Sequence, residues 1–142
     1  MRLYLDSNVF ISFVRSEIDG AFNLRFKDAE TFFACCRECR AELVVSELFF
    51  DEVKLAACLE KEAVKEILAS FGVLLNVCEN AEETKARNIA TQTGIHLSDA
   101  EHVATAVKNG CNGIITWNKK DFEKANKIIP CYSPSELVQS NP

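Results

Sequence analysis

The sequence predicts an α/β domain, a parallel sheet with helices on both faces. Three observations carry that expectation. Short apolar strand-like runs alternate with amphipathic helical patterns nearly throughout. No internal repeat, low-complexity tract or linker-like stretch breaks the 142 residues, which amount to one domain, 1–142. Four acidic residues, Asp6, Glu52, Asp99 and Asp121, fall at the carboxyl ends of expected strands or at the starts of the helices that follow. In parallel sheets of this kind, ligands bind beyond those ends.

The elements follow in order. Residues 2–5 read as a strand ending at Asp6, and Val9, Phe10, Phe13 and Val14 then recur at helical spacing. Residues 15–27 are mixed, with Gly20 in a loop. Asp28 is placed to cap a helix whose stripe is Ala29, Phe32, Phe33, Cys36 and Cys39. Leu43 to Val45 form a buried strand, and Ser46 is placed to cap the helix carrying Leu48, Phe49, Val53, Leu55 and Ala56. A helix over 61–70 stops near Gly72, and residues 73–77 form a third strand. The helix over 82–93 closes at Gly94. Ser98 is the expected cap of the next helix, which ends at Gly110. Residues 113–116 are a fourth strand, followed by a short turn and helix over 119–126. Ile128 and Ile129 are the expected last strand. Ser133 to Val138 form a final helix with Pro134 in its first turn.

Composition narrows the function classes. No run approaches the roughly 20 apolar residues of a membrane span. The N-terminus lacks the apolar region of a signal peptide, which points to a cytoplasmic protein. The seven cysteines, an odd number set mostly in apolar patterns, fit a reducing compartment as small buried hydrophobes. Cys36 and Cys39 make a C-x-x-C, but it lies in a helical stretch and has no second pair at zinc-finger spacing. A net charge of −5 argues against generic nucleic-acid binding, which needs Lys and Arg at phosphates. A bound cation changes that inference, since it brings its own positive charge. Four clustered carboxylates need such a charge, and a hard divalent cation with oxygen ligands supplies it.

Four segments, LYLDSNVFI, VVS leading to Glu52 and Val53, LSDAEHVATA and GIITWNKKDF, stand in an order and at spacings that resemble the PIN domain family, in particular VapC-type ribonuclease toxins. The resemblance covers essentially the whole chain. It implies a three-layer α/β/α sandwich with a parallel sheet of about five strands, and a Mg²⁺- or Mn²⁺-dependent endoribonuclease. By position, it implies Asp6, Glu52, Asp99 and Asp121 as catalytic acids, with Asp6, Asp99 and Asp121 at the metal. Many relatives carry an aspartate where this chain has Asn118, so Asn118 and Asp121 both remain candidates for the fourth position, and the site holds one ion or two. Glu52 binds through water or orients the nucleophile, while Asn8, Ser46, Thr116 and Asn118 support the carboxylates.

Each residue also has a plainer reading. Asp6 can cap its helix, and Glu52 can be a solvated helix residue with Glu47 and Asp51 competing for its role. Asp99 can be a favourable charge in a first turn, and Asp121 an ordinary turn residue. His102 reads as a packed or hydrogen-bonded histidine rather than a catalyst. Trp117 can stack on a base or pack against a surface. The alternatives to a toxin are a catalytically weak RNA- or protein-binding module and a solitary RNA-processing nuclease. A receiver-like phosphotransfer domain fits less well, because Asp6 has no paired acid. As partners, the resemblance implies RNA, an antitoxin with a basic, aromatic tail, and a second copy of the chain. Phe10, Phe13, Phe49, Phe50 and Trp117 are the apolar residues expected to need cover. Adjacent Phe49 and Phe50 cannot both turn to one helix face, so at least one should reach a partner or a neighbouring helix. The alternative is that the phenylalanines line an ordinary core.

Overall fold

The computed structural model describes residues 1–140. Its sheet has five strands, all parallel: β1 (Arg2–Leu5), β2 (Glu42–Ser46), β3 (Leu74–Cys78), β4 (Gly113–Ile115) and β5 (Cys131–Tyr132). They run in the order β3-β2-β1-β4-β5. The chain builds outward from β1 to β3, then crosses back to lay β4 on the other side of β1. The order therefore reverses between β1 and β4, where parallel sheets open a crevice for ligands.

Alternation along the strands assigns the two layers. Leu3, Leu5, Leu43, Val45 and Ile115 face one core, while Tyr4, Val44 and Ile114 face the other. On the first face lie α1 (Ser7–Val14), α2 (Arg25–Cys39), α3 (Glu47–Ala57), α4 (Lys61–Ser70) and α8 (Pro134–Ser140). On the second lie α5 (Glu83–Thr93), α6 (Leu97–Lys108), α7 (Lys119–Phe122) and a 3₁₀ turn over Glu123–Ala125. The expected three-layer α/β/α sandwich is what the chain forms.

Three local boundaries differ from expectation. Helix α2 begins at Arg25, so Asp28 lies inside its first turn instead of capping it. The reason is the loop before it, where Asp19 Oδ1 accepts from the Ala21 and Asn23 backbone N–H groups and launches the helix early. Helix α6 takes His96 as its N-cap residue, without a side-chain capping bond, and Ser98 is in the first turn. Ile128 and Ile129 are not a strand. Their N–H groups both return to the Ala125 carbonyl in a turn, and β5 starts only after Pro130.

The phenylalanines expected to need a partner are mostly covered within the chain. Phe10 and Phe49 are fully buried and Phe50 nearly so. Helix α3 has neighbours on both sides: Phe49 meets Phe10 edge-on at 5.9 Å, while Lys61 lies over the Phe50 ring at 5.2 Å. Phe13 packs edge-on against Phe33 and Phe71. Trp117 donates its indole N–H to Ser12 Oγ at 3.0 Å and lies under Arg25 at 5.1 Å, so its ring is engaged in the fold. Of the large apolar side chains among the described residues, Phe22 and Leu55 are the most exposed, at 86% and 88%. The seven cysteines are all free, and Cys36 and Cys39 lie within α2. No helix among the described residues is long and apolar enough to cross a membrane.

Gly113 opens β4 under the ring of Tyr132 on β5. A Cβ there would lie 2.8 Å from Tyr132 Cε2 and 3.3 Å from the Pro130 carbonyl oxygen. Gly113→Ala should lower unfolding stability by about 1–3 kcal/mol through overpacking, read from urea denaturation. A change within 0.5 kcal/mol would mean that the β4–β5 edge yields freely.

Candidate active site

Alternation brings the polar residues of the site to one side. Tyr4 and Val44 face α6, and continuing that phase by two residues places Asp6 and Ser46 on the same side. Thr116 follows Ile114 in the same way. Helix α6 adds Asp99 from its first turn and His102 from its second, and α3 carries Glu52 over the strand ends.

Asp6 continues β1 with an extended backbone, held by its N–H to the Ile115 carbonyl at 3.0 Å. It occupies the N-cap position of α1, but its side chain does not cap that helix. The Thr116 hydroxyl donates to Asp6 Oδ2 at 2.7 Å across the β1–β4 switch point. Thr116 Oγ1 in turn accepts from Asn8 Nδ2 at 3.1 Å and from the Asn118 backbone N–H at 3.0 Å. Asn8 Oδ1 accepts from the Trp117 N–H at 3.2 Å. The segment 116–118 is thus tied to the start of α1, with Thr116 aimed at one carboxylate oxygen.

Glu52 is held from two sides. Ser7 Oγ donates to its Oε1 at 2.8 Å, and His102 Nε2 stands 3.1 Å from Oε1 and 3.4 Å from Oε2. His102 is only 2% exposed. Its Nδ1 lies 2.6 Å from Tyr4 Oη, which lies 2.9 Å from Ser46 Oγ. Ser46 Oγ also accepts the Phe49 N–H at the start of α3, the capping expected of it. Ser46 therefore contacts Tyr4 rather than a carboxylate, and reaches Glu52 only through Tyr4 and His102. A ring protonated at both nitrogens satisfies the whole chain: Nε2–H donates to Glu52, Nδ1–H to Tyr4, and the Tyr4 hydroxyl to Ser46.

The electrostatics agree with that arrangement. Burial pushes the Asp6 carboxyl above its ordinary value, His102 and the Thr116 hydroxyl oppose this, and Glu52 adds to it. Burial also raises Asp99, helped by the carboxylates of Asp6 and Asp121 and opposed by His102 and His96. Burial alone would raise Glu52, yet His102 and Ser7 bring it below its ordinary value. Burial would lower His102, but the bond to Glu52 and the charges of Asp6, Glu52 and Asp99 hold it above. Among the described residues, no Lys or Arg forms an ion pair with Asp6, Glu52, Asp99 or Asp121.

Asp6, Glu52 and His102 offer ligand atoms within 4.8 Å of one another. Both nitrogens of His102 are already engaged, which leaves oxygen donors as the free set. Asp99 is half-buried and Asp121 exposed, and the Asp121 carboxylate helps to raise Asp99. Asn118 is exposed and contributes its backbone N–H. Sequence reasoning missed Ser7 and Tyr4; His102 is hydrogen-bonded and buried as expected, and only its partners, Glu52 and Tyr4, could not be named in advance. Tyr4 carried a usable signal, since a tyrosine inside a buried strand needs a partner for its hydroxyl.

The chain belongs to the PIN domain family, whose model matches residues 3–128. No curated protein matches it in sequence. Among solved structures it is similar to a toxin–antitoxin complex from Klebsiella pneumoniae, with a TM-score of 0.61 at 18% identity over 93% of this chain and 97% of that one. It is also similar to PAE2754 from Pyrobaculum aerophilum, with a TM-score of 0.61 at 14% identity over 99% and 88% of the two chains. At these identities the likeness is one of fold.

Two outcomes follow for the metal-free protein. The sequence has two histidines, so the His102 ring can be followed by NMR. It should titrate above 6.5 in the wild type, and Glu52→Gln should move that midpoint down; an unmoved midpoint would mean that Glu52 does not hold the ring charged. Asp6 binds its proton more tightly folded than unfolded. Its contribution therefore falls as pH rises from 3.8 through the raised folded value, and stays lower above it. Asp6→Asn should be more stable than wild type in EDTA at neutral pH, with the gain vanishing below pH 3.8. Equal urea midpoints at neutral pH would contradict it.

Proposed function

We propose that the chain is a metal-dependent endoribonuclease, acting in the cytoplasm as the toxin of a toxin–antitoxin pair. The observation that carries this is the Asp6 carboxylate, 7% exposed at the β1–β4 switch point, with Glu52 and Asp99 close by and, among the described residues, no Lys or Arg in an ion pair with them. The donors fit a hard divalent cation. They are carboxylate oxygens under mutual repulsion, Mg²⁺ needs only a few of them, and Mn²⁺ suits the same set. Asp6, Asp99 and Asp121 would hold the ion. When bound, it would activate water and offset the charge that develops on a phosphodiester under attack.

The chain's own residues prepare that chemistry. Thr116 fixes the Asp6 carboxylate through its Oδ2. Ser7 and His102 fix Glu52 in its ionised form, so it can orient a water and accept a proton from it. His102 and Tyr4 anchor Glu52 to the core, and Asn8 and the Asn118 N–H hold Thr116 in register. Membership of the PIN family supports a nuclease, and likeness in fold to a protein solved as a toxin–antitoxin complex supports a protein inhibitor. Phe22 and Leu55 give such a partner, or a second copy of the chain, apolar surface to cover.

The purified protein should cleave single-stranded RNA with Mg²⁺ or Mn²⁺ and stop in EDTA. Asp6→Asn and Asp99→Asn should each abolish cleavage while keeping the fold, and Thr116→Val should lower metal affinity or activity about 10–100-fold. Cleavage that persists in EDTA would rule out the metal mechanism. Inactivity on every RNA with both ions would favour the binding module. Light scattering reads the homodimer, and cleavage in the presence of the adjacent gene's product reads the inhibitor.

A further inference from the structure

The acidic centre has a basic neighbour. The segment 119–127, KKDFEKANK, carries four of the chain's lysines and arginines against two acids, in a protein whose net charge is −5. Lys119 is held by Glu136 at 2.6 Å. Lys120, Lys124 and Lys127 are exposed, and among the described residues none of them pairs with a carboxylate.

Two of these lysines converge. Lys120 and Lys124 line a cavity of about 180 Å³ with His96, Asp121, Gly94 and Ile95. Gly94 ends α5 with φ +78°, and a Cβ added to it would stand 3.9 Å from Lys124 Nζ. The Lys124 ammonium therefore lies over the bend between α5 and α6, beside the bare Gly94 backbone. The cavity adjoins the carboxylate centre. Asp121 lines it and also acts on Asp99, and His96 directly precedes the helix that presents Asp99.

A strand whose phosphate sits at the carboxylates meets a strongly negative surface on this chain. Unpaired lysines beside that centre are where its next charge can be neutralised. We propose that the cavity rimmed by Lys120 and Lys124 binds a phosphodiester of the RNA strand adjacent to the one at the carboxylates. The inference rests on the nuclease reading for its substrate. Lysine ammoniums act there as point charges on phosphate, so the contact positions the strand without reading its sequence. Lys120 and Lys124 are positioning residues and take no part in the chemistry.

The test uses the full chain and the variants Lys120→Gln, Lys124→Gln and their double, with Lys85→Gln on α5 as the control. Binding of a fluorescein-labelled mixed-sequence single-stranded RNA is read by anisotropy in Ca²⁺ across a salt series, and cleavage is read in Mn²⁺. The double variant should bind about ten-fold more weakly, and the slope of log affinity against log salt should shrink by about 0.7 for each lysine removed. KM should rise with kcat within about two-fold, the pattern of lost uniform binding. Lys85→Gln should match wild type. Unchanged affinity and salt slope in the double variant would overturn the proposal, as would a fall in kcat with binding intact. Poly-L-glutamate should compete poorly with the RNA. Competition as strong as that of unlabelled RNA, lost in the double variant, would assign the cavity to an acidic protein segment and overturn the RNA reading. The two readings fail separately: a wild type that binds RNA through these lysines but never cleaves it sinks the nuclease and keeps the cavity.

Discussion

Asp6 carries a carboxylate to the top of the central strand, where burial strips it of water and, among the described residues, no lysine or arginine pairs with it. Much of the site's geometry can be traced to keeping that group in place. The Thr116 hydroxyl crosses from β4 to meet it, Asn8 and the Asn118 N–H fix the hydroxyl, and the Trp117 N–H fixes Asn8. These bonds join the two strands at the point where the sheet order reverses. The chain leaves β1 for the first helical layer and β4 for the second, which opens the crevice there. A charge so placed is costly for the metal-free fold, and the cost is retained at the site where a cation would remove it.

The second constraint is the buried polar chain from Glu52 through His102 and Tyr4 to Ser46. A fully satisfied network of this kind holds its members rigid, and a partly satisfied one would leave donors stranded in the core. Here each link has a partner, and the last one caps α3, the helix that carries Glu52. The side chain of Glu52 and the helix beneath it are thus fixed by the same set of bonds. His102 also opposes the upward push that burial gives the carboxyls of Asp6 and Asp99. Net charge alone would have hidden this opposition, since acidic and basic groups lie side by side at the strand ends.

The layers and the strand order were largely legible in the sequence. Apolar strands and amphipathic helices alternate, and right-handed crossovers leave few ways to assemble them. Asp6 and Thr116 were legible as strand-end residues. Boundaries failed where local polar groups decided them. Asp19 closes a loop with its own side chain and starts α2 ahead of Asp28, and Pro130 delays β5 beyond Ile128 and Ile129. Phe49 and Phe50 are both buried because α3 has α1 beside one flank and α4 beside the other, an arrangement that periodicity along one helix does not reveal.

What the sequence determined by itself was the α/β class, the places of the acids at strand ends, and the family to which their spacing belongs. These follow from residue type and period, which are local properties. Tertiary structure decided which polar groups meet. Tyr4 and His102 are 98 positions apart and touch at 2.6 Å, and Ser7 reaches Glu52 across 45 positions at 2.8 Å. Such pairs depend on the phase of two elements and the angle between them, and neither element encodes that angle alone. For that reason the carboxylates could be found along the chain, while the hydrogen bonds that hold Glu52, and the lysines beside Asp121, became visible only once the helices were packed on the sheet.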